Sequence, residues 1–502
     1  MSNLLSAALC VALSIAPGAQ DHGPKDQGLP AYYFLLGRYL EGEGKIDAAV
    51  DALKKAIELD PTSAEPRAEL AALYARADKA REAVDAAEDA LKVDPKSLEA
   101  NRILGSVLAA SAEQKQALKP GDDVSAYGRR AMRALEIARA DGTGDVSIDL
   151  ALARLYLDRE RPADAVPLLR RIVNEQPQYS EGAVLLAEAQ ESAGAPDAAI
   201  ETLRNLLTDQ PQFFRGRVQL AELYDRERKW VEAADAWAAV QKLNQRNTEI
   251  AARRGAALLN AGRPSEAKDV LRDALKMTPN DVRISAMFAQ AQRDSGDMEG
   301  AEATARALQT AHPEDIRTKF LLAQMLDAKG RRDEALALYK EAATSAPDNT
   351  MVLFQYGAAL DRAGKQADAQ KVFRDLIAKD PLDAKALNYL GYMMAEHGTS
   401  LDEAVTLIQR ALKVEPDNPS YKDSLGWAYY QQGKLDLADP QLSDAAVRRP
   451  KDSVILEHLG DLRLKQNRRS DAVDAWQRAL GGDGEGIDKA KIQKKIDAIK
   501  RK

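Results

Sequence analysis

Proline recurs along this 502-residue chain at a spacing of 34. Pro61 and Pro95 are one step apart, as are Pro177 and Pro211, and Pro279, Pro313, Pro347 and Pro381 follow in register. Pro416 and Pro450 continue the series after a one-residue slip, and Gln245 stands at the missing mark between Pro211 and Pro279. A fixed period constrains the fold more than composition does, because every unit must solve the same packing problem against its neighbour. A non-repeating chain of this length would split into about three separate cores.

Each unit reads as two short amphipathic helices. In "DIRTKFLLAQMLDAKGRRDEALALYKEAATSAPD", Leu322, Ala323 and Leu326 form one apolar stripe, and Ala335, Tyr339 and Ala342 form another. Gly330 falls between them, where the first helix must stop. Pro347 closes the unit because proline cannot continue the second helix.

Numbered from its first residue, every unit has a small residue at two places. Position eight is Gly37, Ala71, Gly105, Ala153, Ala187, Ala221, Gly255, Ala289, Ala323, Gly357, Gly391, Gly426 and Gly460. Position twenty is alanine throughout, from Ala49 to Ala472. Two helices can nearly touch only where neither carries a bulky side chain. This pattern resembles the tetratricopeptide repeat, a 34-residue helix–turn–helix unit. The resemblance covers residues 30–486 in thirteen units and implies an all-α, right-handed superhelical solenoid. Two units depart from it. The third holds an insertion at about residues 111–128, read as a tolerated surface loop or a partner-specific projection, and the eleventh has one extra residue in "EHGTSLDEA".

In the resembled family the first helix of each unit lines a concave groove, with positions two, five, nine, twelve and thirteen facing it. That register places Phe354, Asp361 and Arg362 of the tenth unit in the groove. It adds Lys385, Asn388, Tyr392 and Glu396 of the eleventh, and Asp423, Trp427, Tyr430 and Gln431 of the twelfth. Tyr429, at position eleven, is expected in the core. Phe354, Tyr392, Trp427 and Tyr430 would form an aromatic track across three units, either as inter-repeat packing or as a partner site of the kind where Trp and Tyr carry binding energy. Units five and six offer Glu181, Glu188, Glu191, Arg215, Glu222, Asp225 and Arg226 instead, a wall of mixed sign. "LNYLGYMMAEHGTSLDEAVTLIQRAL", "DSLGWAYYQQGK" and "HLGD" are similar to bacterial envelope tetratricopeptide proteins, several of which act in envelope assembly or polysaccharide secretion. The Lys and Asn clamp by which chaperone-binding relatives grip a C-terminal carboxylate is not matched: Asn388 stands without a second Asn beside it.

No catalytic constellation is present. There is no HExxH, GxSxG, GxxxxGK[ST] or paired CxxC, and the one cysteine, Cys10, excludes an intrachain disulfide. His458 lies near Glu457 and Asp461 and is read as part of a solvated groove cluster; "DGTGDVSID" lacks the ligands of a calcium loop. No catalytic, cofactor or metal site is expected. With 71 basic and 78 acidic residues, the chain has no global attraction to nucleic acid.

The first residues, "MSNLLSAALCVALSIAPGAQ", carry an apolar run from Leu4 to Ala16, too short to span a bilayer comfortably and suited to a secretory leader, residues 1–19, with a linker at 20–29. No Lys or Arg precedes the run, and Leu9 before Cys10 does not suit a lipoprotein. At the other end, Ile492, Ile496 and Ile499 share one face of a basic helix within residues 487–502, read as an end cap or as a peripheral contact with anionic lipid or an acidic partner. The whole reads as a noncatalytic scaffold, periplasmic or otherwise exported, holding a protein or peptide in its groove. A glycan-handling or exopolysaccharide-export component and a cytosolic adaptor are the alternatives.

Overall fold

The computed structural model describes residues 28–141, 145–483 and 486–500. The expected leader lies outside them, as does most of the linker. The chain divides into two compact units, residues 1–245 and 246–502. Unit 1 holds six helix pairs, from Leu29–Gly42 with Ile46–Leu59 to Phe214–Arg226 with Trp230–Leu243. Unit 2 holds seven, from Thr248–Asn260 with Pro264–Met277 to Ser453–Lys465 with Arg469–Leu480, and ends in the helix Lys489–Lys500. No strand occurs among the described residues.

Three local devices set each pair. First, an Asp or Asn side chain caps many first helices: Asp281, Asp315, Asn349, Asp383, Asn418 and Asp452 each accept from a backbone N–H two or three residues on. Second, the second residue past the first helix's end turns left-handed, at Gly44, Gly194, Gly262, Gly296, Gly330, Gly364, Gly398 and Gly433. Asp78, Glu160, Arg228 and Asn467 take that conformation at the same position despite carrying a Cβ. Third, the small residues let the pair close. The thirteen position-twenty alanines are at most 1% exposed. A Cβ on Gly391 would lie 2.6 Å from Ile408 Cγ1 and 2.9 Å from the Ala404 carbonyl oxygen.

Within each unit several first helices of successive pairs meet, as do Ala384–Glu396 and Pro419–Gln431, whereas no second helices of successive pairs meet to that extent. The first helices therefore line the inner side of each unit's curvature. The insertion lengthens the first helix of the third pair to Leu98–Glu113 and adds a loop before Val124. That loop folds back: Leu118 N–H donates to the Tyr127 hydroxyl at 3.1 Å, and Lys119 pairs with Asp85 of the preceding repeat.

Candidate partner-binding face

Position two, five and nine residues lie three or four apart, so Lys385, Asn388 and Tyr392 share one face of the helix Ala384–Glu396. Lys385 is exposed, and Asn388 and Tyr392 are half-buried. The Asn388 Oδ1 is shut from solvent and accepts no hydrogen bond. A buried amide oxygen without a donor is uncommon, because leaving it unpaired costs about 1–3 kcal/mol.

The aromatic residues fall into two groups. Phe354 sets its ring edge against Phe373 and Tyr389, with centroids 5.3 and 5.4 Å away, and Tyr389 stacks on Phe373 at 4.7 Å. In the second group Trp427 lies parallel to Tyr430 at 4.8 Å and to His458 at 4.1 Å, while Tyr392 tilts against His458 at 6.3 Å. Trp427 Nε1 donates to Glu396 at 2.9 Å. Trp427 is 8% exposed and Asp423 is buried, so neither presents an open side chain to the groove as the register predicts. The reason is local: the helix Pro419–Gln431 is pressed between the first helices of its two neighbours, and its positions five and nine are shut between them. Tyr429, expected in the core, is only half-buried and accepts a hydrogen bond from Gln409. Tyr430 and Gln431 are half-buried, and Lys465 stands 5.9 Å above the Tyr430 ring.

His458 also departs from the expected solvated cluster. It is buried, and its Nδ1 lies 3.0 Å from an Asp423 oxygen, while Asp461 goes to Trp476 Nε1 and Lys495. Burial opposes a charge on the imidazole, but the Asp423 carboxylate outweighs it and holds His458 above its ordinary pKa. Burial likewise pushes the Tyr389 and Tyr392 phenols well above theirs, so both stay neutral donors.

These bonds belong to a polar ladder that sequence reasoning missed. Arg362 pairs with Asp327 at 2.6 Å, His397 approaches Asp361 at 3.3 Å, Trp427 reaches Glu396, His458 reaches Asp423, and Lys495 of the closing helix reaches Asp461 at 2.7 Å. Each rung joins one repeat to the next. Unit 1 uses the same device in Arg76–Glu41 at 2.6 Å and Arg226–Glu191 at 2.5 Å, and Arg215 pairs with Glu181. The signal was present: Glu41 and Arg76, Glu191 and Arg226, and Asp327 and Arg362 are all 35 residues apart. The mixed-sign wall of units five and six is thus largely self-paired.

Among the described residues, no group of three or more His, Cys, Asp or Glu side chains could hold a metal ion. The faint calcium-loop stretch is described only in part; its Asp149 is fully buried and ion-paired with Arg139 at 2.7 Å and Arg171 at 2.6 Å. No helix among the described residues is long and apolar enough to cross a membrane.

Family models described as tetratricopeptide or TPR repeats match residues 43–78, 150–212, 218–282 and 258–325. A model described as the cilia and flagella-associated protein 70 middle TPR-like domain matches residues 319–448. The TPR repeat-containing protein PA4667 of Pseudomonas aeruginosa is 45% identical over 84 residues, which is 17% of this chain and 14% of that protein's length. Among solved structures, Naa15/Naa10 bound to HypK-THB is 17% identical, with 89% of this chain and 68% of that chain covered and a TM-score of 0.44. Yeast Tom70 is 13% identical, with 95% and 96% covered and a TM-score of 0.44.

Proposed function

We propose, from the premise that this chain is a tetratricopeptide-repeat protein, that it is a noncatalytic scaffold holding an extended segment of a partner protein on the first-helix face of unit 2. The observation that carries the reading is Asn388. Its Oδ1 lacks a donor and is shut from solvent, so the amide must turn toward the exposed stripe before a backbone N–H of a bound segment supplies one. Exposed Lys385 on the same stripe, and Met351, 71% exposed at position two of the preceding repeat, add a charge and an apolar contact beside it. The neighbouring carboxylates Asp327, Asp361, Glu396, Asp423 and Asp461 already engage the ladder. The rings of Trp427 and Tyr430 stack on protein neighbours, which leaves sugar stacking without its best platform and weakens the glycan reading.

Export to a bacterial envelope is part of the same proposal. It is supported by the apolar run Leu4–Ala16 and by the likeness of the later repeats to envelope proteins. Photo-crosslinkers placed at Lys385 and Met351 in the native cell test the site. A protein partner captured there, and lost with Asn388→Leu, is the expected result; capture indifferent to that change overturns it. Mature protein beginning at Met1 ends the export proposal.

A further inference from the structure

We infer that the outer face of the first described helix, Leu29–Gly42, is a self-association surface that takes the same helix of a second copy of this chain in antiparallel fashion.

The helix carries an apolar stripe that has no partner among the described residues. Tyr32, Leu35 and Tyr39 are 50%, 63% and 56% exposed, and Leu29 joins them one turn earlier. Tyr32 and Tyr39 occupy positions three and ten of their repeat. In later repeats those positions are buried against the preceding second helix, as in Ile148 and Leu155, Ile284 and Ala291, Val352 and Ala359, and Ile455 and Leu462. The exposed stripe is therefore the same interface that repeats use throughout the chain, here with no covering helix among the described residues. What fits it is another helix.

The stripe is also self-complementary. Tyr32, Leu35, Leu36 and Tyr39 read the same in both directions about the midpoint between Leu35 and Leu36. A two-fold axis there sets Tyr32 against the partner's Tyr39 and Leu35 against the partner's Leu36, as an isologous contact requires. The helix carries two charges, Arg38 and Glu41. Glu41 is held by Arg76, and the axis would place Arg38 opposite the partner's Tyr33, so no like charges meet. The opposite end of the chain is a poor alternative: the closing helix turns Ile492 and Ile496 inward and leaves Lys489, Lys491 and Lys494 exposed. The exposed parts of the four side chains amount to roughly 400 Å² per copy, or about 800 Å² in all, below the ~1,200 Å² of standard stable interfaces. The dimer is therefore reversible, with a dissociation constant on the order of 10–100 μM.

Sedimentation equilibrium of the full chain from low micromolar to several hundred micromolar tests this. The expected result is a monomer–dimer equilibrium that Leu35→Glu weakens by at least ~30-fold, because the axis places two carboxylates close together in apolar surroundings. Leu35 is exposed, so the monomer keeps its fold, checked by circular dichroism. In a Cys10→Ser background, Leu35→Cys should give a disulfide-linked dimer under mild oxidation. A chain monomeric at every concentration, or a dimer indifferent to Leu35→Glu, overturns the inference. So does a monomer in which Leu35→Cys, with Cys10 kept, forms an intramolecular disulfide; that outcome would assign the face to residues 4–16 of the chain itself.

Discussion

Replacing Trp427 with alanine should weaken the junctions among repeats 11, 12 and 13 by about 4 kcal/mol and leave residues 28–245 as they were. The magnitude follows from the surroundings. A buried indole removes about 150–250 Å² from water, worth ~4–6 kcal/mol as an upper bound. Trp427 is 8% exposed, so it realises nearly all of that. Its bond to Glu396 adds little, because Glu396 is solvent-accessible and is rehydrated when the indole goes. Partial collapse of Tyr430 and His458 into the gap returns some of the loss, which leaves the figure near 4 kcal/mol. In a solenoid each repeat contacts only its neighbours, so the loss stays local and a single global unfolding free energy would blur it. Hydrogen exchange resolved by segment is the suitable assay. Amides in the helices Ala384–Glu396, Pro419–Gln431 and Ser453–Lys465 should exchange up to ~10³-fold faster, at tenfold per 1.4 kcal/mol. Trp427→Phe, which keeps a ring over His458, should lose about a third of that. Unchanged protection across 384–465 in Trp427→Ala would refute the packing assignment and return Trp427 to the ligand-facing role that its register suggests.

Other expectations follow from single groups. Because His458 is held above its ordinary value, its contribution is complete below about pH 6.5 and fades as pH rises through the raised value, so protection at repeats 12 and 13 should fall as the solution is made more alkaline. Asp423→Asn should remove that dependence and lower the His458 titration seen by NMR. Glu302 behaves in the opposite sense: hydrogen bonds from Lys329 and Arg306, and then Arg331, hold its carboxyl at about 2 against burial. Its contribution is present above about pH 4.5 and lost as pH falls toward 2, so the stability gap between the native chain and Glu302→Gln should close over that interval. Arg228→Gly should stabilise unit 1 by about 1 kcal/mol in thermal or chemical unfolding, since a left-handed φ of 54° is strained for arginine and free for glycine.

The period, the helix pairs and the close approach of positions eight and twenty were all legible, because each is set by small residues or turn formers that the chain repeats every 34 positions. What was not legible was the depth of particular side chains. Trp427 sits at a nominal groove position, yet its neighbours Glu396 and His458 lie 31 residues away on either side, in adjacent repeats, and they close over it. A register taken from one repeat says which way a side chain leaves its helix. It does not say whether the next repeat supplies a ring and a carboxylate to cover it. His458 was misread for the same reason: Glu457 and Asp461 are near in sequence, while its actual partner, Asp423, is 35 residues upstream.

The ladder explains why unit 2 can expose polar groups on its inner side without loosening. Small residues fix how closely the two helices of a pair approach, and apolar packing such as that of Trp427 joins successive repeats, but such contacts are non-directional. Directional bonds fix the rotation of one first helix against the next, because an ion pair or an indole N–H to carboxylate bond tolerates little change in angle. Rungs placed at positions twelve and thirteen in repeats 9 and 10, and at positions five, six and nine in repeats 12 and 13, hold the inner surface in one arrangement. Lys495 extends the series into the closing helix, where burial opposes its charge but Asp461 and Glu457 keep it protonated. A groove held this way meets its ligand with little reorganisation. The unsatisfied Asn388 oxygen then has only its own amide to turn outward to meet a donor, so affinity lost on its removal would reflect the missing hydrogen bond and not a slackened scaffold.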